Sequence, residues 1–298
     1  MSLAPIPAHP KRLVYLGTPA LAAEPLRALV AAGFDVALVV TRVDKRRGRG
    51  SEMAPSPVKA AAIELGIPVS HDVADVLSAG ADLGVVVAFG QIIKTNVLEV
   101  LPMVNLHFSL LPRWRGAAPM ERALLAGDRE TGVGLMQLEE GLDTGPLFAE
   151  VRTVIHSDDT GDSLRDCLTA IGSELLVRCL RTGLGVPSKQ TGEPTYASKL
   201  SMNDLRIDWS MPANVIDRVI RLGGAWTTAD GRRLKVVSAT MHSADSIGTA
   251  GQLVGAVVQT GNGVIRLDKV RPEGKGVMAM KDWLNGAGRT LTNSILGS

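Results

Sequence analysis

The sequence predicts an α/β protein: a doubly wound, mostly parallel sheet followed by a small C-terminal β-barrel of the oligonucleotide-binding type. Three observations predict it. Short apolar runs alternate with helical patterns along the first half of the chain. One of those runs, 83–89, is apolar throughout, as a parallel strand buried on both faces must be. Beyond residue 230 only short strand-like runs remain, separated by glycine turns.

Residues 1–11 carry three prolines and no periodicity, and read as a loose tail. Residues 12–16 form an apolar run ending at Gly17, and a helical pattern follows Pro19 as far as Ala32. The β-branched run 36–41 comes next, giving strand, helix, strand. A helix is expected over 57–65, then strands over 67–70, 83–89 and 104–108. Residues 163–181 read as a long amphipathic helix. The stretch 182–203 is rich in Gly, Pro, Ser and Lys and reads as a linker wrapping between domains. A helix over 213–221 then leads to strands within 234–239, 251–259 and 263–270. The expected organisation is a tail (1–11), a catalytic domain (12–184), a linker (185–204) and a C-terminal barrel domain (205–298).

Composition narrows the functional class. The chain has 298 residues, 45% hydrophobic and 21% charged, as an ordinary globular enzyme does. Its longest apolar run is far short of the roughly 20 residues needed to span a bilayer. No long apolar stretch follows Lys11 and Arg12, so no secretory signal is read and a cytoplasmic location is expected. Cys167 and Cys179 match neither a metal nor a redox motif and are expected to be buried structural thiols. The net charge of +2 is unevenly divided. Residues 201–298 hold 12 Lys and Arg against 8 Asp and Glu, leaving 20 against 22 in the rest. A basic C-terminal third hints at a polyanionic partner.

Three polar residues stand out. Asn105 and His107 alternate with Val104, Leu106 and Phe108, so a strand would put both on one face. Asp143 lies in Gly141-Leu142-Asp143-Thr144-Gly145, where flanking glycines let the backbone approach a ligand closely. Alone, each has a structural explanation: a satisfied polar strand end, or a turn aspartate. Gly17-Thr18-Pro19 lacks the further glycines of a dinucleotide fingerprint. One His and no nearby Cys make a zinc site improbable, and no metal is expected.

The longer string decides otherwise. Val104 to Pro119, including Ser109-Leu110-Leu111-Pro112-Arg113-Trp114-Arg115-Gly116, closely resembles the folate-binding signature of the N10-formyltetrahydrofolate-dependent formyltransferase family. Glu130-Thr131-Gly132-Val133 and the Asp143 loop resemble that family's following segments. Leu16-Gly17-Thr18-Pro19, Gly48-Arg49-Gly50, Pro55-Ser56-Pro57-Val58-Lys59, Thr195-Tyr196-Ala197-Ser198-Lys199-Leu200 and Arg206-Ile207-Asp208-Trp209-Ser210 resemble its tRNA-directed branch. One departure is Gly223-Gly224-Ala225-Trp226-Thr227, where the family favours a proline-flanked tryptophan. The resemblance implies a Rossmann-like formyltransferase domain with Asn105, His107 and Asp143 as the catalytic trio. It implies that Ser109, Leu110, Leu111 and Pro112 lie against the folate. The expected reaction carries a formyl group from 10-formyltetrahydrofolate to the amino group of an initiator methionyl-tRNA, for use in translation initiation.

Such a reaction is acyl transfer. Asn105 could donate to the carbonyl oxygen as charge develops there, with His107 as a second donor. Asp143 would orient His107 and take the amine proton, directly or through water. The resemblance also implies that Arg42, Lys45, Arg46, Arg47 and Arg49 approach the tRNA acceptor end, while Arg232, Arg233, Lys235, Lys269, Arg271 and Lys275 add charge to the barrel. By charge alone the loop would more often be a solvated excursion. No membrane and no obligate protein partner are implied. The alternative is a sugar-nucleotide N-formyltransferase, or a formyltetrahydrofolate hydrolase, on the same catalytic module. A small-molecule acceptor would need neither the arginine loop nor the basic barrel.

Overall fold

The computed structural model describes residues 3–46, 53–242, 246–286 and 294–297. The chain gathers into two compact units, one of residues 1–120, 130–154 and 164–198, the other of 121–129, 155–163 and 199–298.

The first unit begins with β1 (Arg12–Gly17), a one-turn 3-10 helix at Ala20–Ala22, and α1 (Ala23–Ala31). Next come β2 (Asp35–Val40), a hairpin of β3 (Lys45–Arg46) and β4 (Met53–Ala54), α2 (Pro57–Glu64) and β5 (Val69–Ser70). After a 3-10 turn at Val73–Ser78 follow β6 (Leu83–Val87), α3 (Thr95–Leu98), β7 (Met103–His107) and β8 (Arg115–Gly116). Then come α4 (Pro119–Ala126), β9 (Glu130–Gln137), β10 (Leu147–Val154), α5 (Gly161–Thr182) and β11 (Tyr196–Ala197).

Seven strands make one sheet in the order β10-β9-β7-β6-β1-β2-β5. Its five central and edge strands from β7 to β5 run parallel, while β9 and β10 are antiparallel additions. Every residue of β6 is buried, which explains its unbroken apolar sequence. The chain winds outward to β2 and β5 on one side of β1, and returns through β6 to β7 on the other. The switch therefore lies between β1 and β6, where sheets of this kind leave a crevice at the carboxyl ends. There the Thr18 hydroxyl donates to the Phe89 carbonyl at 3.3 Å, joining the loops that follow the two strands.

Strands β9 and β10 were not apparent in the sequence. Gly132 and Gly134 give β9 the look of a turn, yet a Cβ on Gly132 would lie 2.1 Å from the Val151 carbonyl oxygen of β10. The glycine is a consequence of tight pairing. The cysteines also differ from expectation: Cys167 is exposed and Cys179 half-buried. Twelve residues leave two helical side chains about a third of a turn apart, so one apolar face does not cover both.

The second unit holds α6 (Ala213–Leu222), β12 (Trp226–Ala229), β13 (Arg232–His242), β14 (Leu253–Val254), β15 (Val257–Gln259), β16 (Val264–Pro272), β17 (Met278–Ala279) and α7 (Met280–Asn285). Its sheet is antiparallel, in the order β12-β13-β16-β15-β14 with β17 on β16. Residues 294–297 join its two outer strands. Leu253 N donates to Ser294 O at 2.9 Å beside β14, and Gly297 N donates to Thr228 O at 2.8 Å on β12. That closure turns the curled sheet into a small barrel, filled by Ile216 and Ile220 of α6 with Val236, Ile265, Leu267 and Trp283. Among the described residues no helix is long and apolar enough to cross a membrane.

Candidate active site

Asn105 and His107 are two apart on β7 and so face the same side of the sheet. His107 is buried and Asn105 half-buried. The His107 Nε2 lies 3.0 Å from the Trp114 carbonyl oxygen. A carbonyl only accepts, so Nε2 carries the hydrogen and Nδ1 is the atom left to face Asp143. Nδ1 lies 3.7 Å from Asp143 Oδ2. That separation is too long for a hydrogen bond, and catalytic bonds often tighten only when substrate is present. The same Oδ2 accepts from Gly116 N at 2.7 Å. Asn105 has no side-chain hydrogen bond among the described residues, which leaves its amide available to a ligand.

The loops bear backbone conformations that favour glycine. Ala88, Trp114 and Asp143 have φ of 44°, 64° and 51°, and they follow β6, β7 and β9 respectively. The Trp114 and Asp143 loops, which meet at His107, thus each hold a backbone that persists only where its surroundings impose it. Asp143 suits the left-handed region better than most residues. The glycine that closes its loop, Gly145, is dictated by space: a Cβ there would lie 1.9 Å from the Gln137 carbonyl oxygen.

The four residues expected against folate divide in role. Ser109 is fully buried, and its hydroxyl donates to Arg113 O at 2.6 Å, so it shapes the loop from within. Leu111 is buried, while Leu110 and Pro112 are half-buried and keep apolar surface. The Leu111–Pro112 peptide is cis.

The basic loop is placed only in part. Arg47 and Arg49 lie outside the described residues, and of Arg46 only the backbone is described, paired with Met53. Lys45 is exposed. Arg42 is half-buried, its guanidinium donating to the Gly90 carbonyl, so it anchors the start of the loop to the one after β6. The other end is clamped too. Ser56 caps α2 through Lys59 N at 3.0 Å, its hydroxyl meets that of Thr41 at 2.8 Å, and Lys59 pairs with Asp44 at 2.7 Å.

On the barrel, Lys235 lies opposite Arg271 across β13 and β16. Arg233 stacks on the Trp226 ring at 4.4 Å and Arg206 approaches it at 5.6 Å. The departure at Gly223-Thr227 thus sets a tryptophan between two arginines.

Sequence reasoning missed the stretch 188–197. Ser188 and Leu147 exchange backbone bonds at 2.8 Å. Trp114 N donates to Thr195 Oγ1 at 2.9 Å, and β11 runs parallel to β8. Gln190 contacts the Asp143 loop and Arg115. Its only signal in the sequence was a motif resemblance at Thr195–Leu200, which said nothing of Gln190. Among the described residues no three His, Cys, Asp or Glu side chains gather as a metal site would require.

Comparison with known proteins agrees with this fold and shows the family. Residues 11–180 match the formyl transferase family, and residues 199–288 match the formyl transferase C-terminal domain. The chain is 41% identical to the methionyl-tRNA formyltransferase of Arthrobacter sp. (strain FB24), over 92% of this chain and 96% of that protein. It is 42% identical to that of Jannaschia sp. (strain CCS1), over 93% and 97%. The N-formyltransferase of Helicobacter canadensis, solved with folinic acid and dTDP-3-aminofucose, shares the fold with a TM-score of 0.68. It is 19% identical, over 86% of this chain and 99% of that one. The chain belongs to the formyl transferase family, among the methionyl-tRNA formyltransferases.

Proposed function

We propose that this enzyme transfers a formyl group from 10-formyltetrahydrofolate to the amino group of methionyl-tRNA, with Asn105, His107 and Asp143 as its catalytic residues. The observation that carries the proposal is the meeting of buried His107 with Asp143, on the strand whose Asn105 amide has no hydrogen-bond partner among the described residues. The relatives named for this activity match along nearly their whole length, whereas the sugar-linked neighbour is a distant likeness in fold.

The donor, when bound, supplies an activated formyl carbon. Leu110, Leu111 and Pro112 would hold it through apolar surface, and the free Asn105 amide fits a carbonyl oxygen. Asn105 donates to that oxygen as negative charge develops, in a site already organised for it. Oδ2 of Asp143 accepts from Gly116 N and faces His107, so Oδ1 is left to receive the proton that the attacking amine gives up. His107, fixed through Nε2 by Trp114 O, keeps Nδ1 toward Asp143 as protonation there changes. The donor nitrogen gains a proton as it leaves, which balances the one lost by the amine.

Recognition of tRNA is assigned to Arg42, Lys45, Arg46, Arg47 and Arg49 with the basic face of the barrel. Phosphate contacts are the natural use of such residues. In this scheme residues 12–184 catalyse, 185–204 connect and 205–298 bind tRNA, in the cytoplasm. The test is incubation with 10-formyltetrahydrofolate and methionyl-tRNA, followed by mass spectrometry of the released amino acid. Formyl-methionine is expected. Formylation of an amino sugar nucleotide alone, or release of free formate, would overturn the proposal.

A further inference from the structure

Gln190 lies half-buried between the two loops that meet at His107, and its amide is fully used. Nε2 donates to the carbonyl oxygens of Asp143 and Gly145, each at 2.8 Å. Oε1 accepts from Nε and Nη2 of Arg115 at 3.1 and 2.6 Å. The carbonyls can only accept and the guanidinium can only donate, so the amide has one orientation here. Two donors and two acceptor sites are satisfied at once. No other side chain of this length does both. A glutamate would set a carboxylate against two carbonyl oxygens, and a methionine would fill the volume with no bond to either loop.

These bonds bracket the catalytic aspartate. Asp143 sits at φ 51°, and its own carbonyl and that of Gly145 are held from the same point. The partner on the other side, Arg115, adjoins Gly116, whose N–H reaches Asp143 Oδ2. Gln190 therefore ties the backbone that carries Asp143 to the loop that receives its side chain. It is itself fixed by the Ser188–Leu147 bridge on one side and by Thr195 N on Pro112 O, at 3.2 Å, on the other.

We infer that Gln190 is a positioning residue for formyl transfer, setting Asp143 against His107. The inference rests on the catalytic roles proposed above. Gln190→Met, which keeps length and volume, should lower kcat by about 10- to 100-fold, as small displacements of catalytic groups do. KM for the folate and for methionyl-tRNA should change less than about two-fold, since the bonds lie behind the reacting atoms. Gln190→Glu should lose as much, although it can still pair with Arg115. The deciding experiment is a double-mutant cycle with Asp143→Asn. Where Gln190 acts through Asp143, the double variant is no slower than Asp143→Asn alone. A kcat for Gln190→Met within two-fold of wild type, or losses that multiply in the double variant, would overturn the inference. Should wild type formylate no methionyl-tRNA, the proposed function fails, and Gln190 is judged by NMR of the His107 ring. Ring resonances moved in the same sense by Gln190→Met and Asp143→Asn would uphold the positioning role, and resonances unmoved by Gln190→Met would overturn it.

Discussion

One oxygen of Asp143 serves both Gly116 N and His107, so the two oxygens of this carboxylate are not equivalent. Asp143→Asn can keep an acceptor toward Gly116 through its amide oxygen, and the loop should stay closed. It removes the charge and the proton acceptor. Turnover should fall by orders of magnitude while folate affinity, measured by isothermal titration, changes little. Near-normal turnover would strip Asp143 of its role. Asn105→Ala deletes a donor that no described residue uses, so neighbouring bonds survive. It should raise the activation barrier by about 2.7–4 kcal/mol, as loss of one oxyanion donor does. A loss confined to KM would make Asn105 a ground-state binder instead. The alternation around Asn105 and His107 was legible because strand geometry alone puts them on one face. The role of Asp143 came only from the resemblance, since a Gly-flanked aspartate is also a common turn residue. Gln190 was illegible for a physical reason: its four bonds reach loops far off in the chain, and no local periodicity records them.

The hairpin of β3 and β4 is held at its base by Arg42 on Gly90, Asp44 on Lys59 and the Thr41–Ser56 hydroxyl pair. Removing the cations beyond that base should leave the clamp intact. Lys45, Arg46, Arg47 and Arg49 replaced together by Ala should weaken tRNA binding and flatten its log–log dependence on salt by about 0.7–0.9 per lost phosphate contact. Lys45 is exposed, and a loop so rich in charge should carry these changes with a stability shift of only about 0.5 kcal/mol. Filter binding across a salt series checks the slope, and thermal melting checks the fold. An unchanged slope would shift recognition onto the barrel. Arg42→Ala should behave differently, lowering the melting temperature, because its guanidinium holds a carbonyl of the neighbouring loop. Strands with continuous apolar sequence, such as β6, could be read in advance. Edge strand β10 could not: three of its eight residues are exposed and none is fully buried, and its partner carries glycines where backbones crowd.

At the entry to the second unit, hydrogen-bonded carboxylates make stability depend on acid pH. Asp204 accepts from the Ser201 hydroxyl and backbone N–H and pairs with Arg122 at 2.7 Å. Led by the Ser201 hydroxyl, these partners hold its carboxyl down at about 2, against an ordinary 3.8. A depressed carboxylate contributes stability that is complete above the unfolded value and disappears as pH falls toward the folded one. Asp204→Asn should therefore lower the urea midpoint at pH 6, and the difference from wild type should shrink as pH falls from 3.8 to about 2. A difference undiminished at pH 2 would assign the effect to packing.

The second unit is stitched from three stretches of chain, and this constrains how such an enzyme can be recombined. Arg218 donates to Leu125 O, Arg221 to Asp159 O and Arg122 to Asp204, while Gly161 lies where a Cβ would come within 2.5 Å of Leu222 O. A crossover at residue 199 would transplant the barrel but leave behind 121–129 and 155–163, the segments that satisfy its helix. Chimeras exchanging the second unit between related enzymes should express as folded protein only when those two short segments travel with the barrel. The unit of inheritance is then discontinuous in the gene.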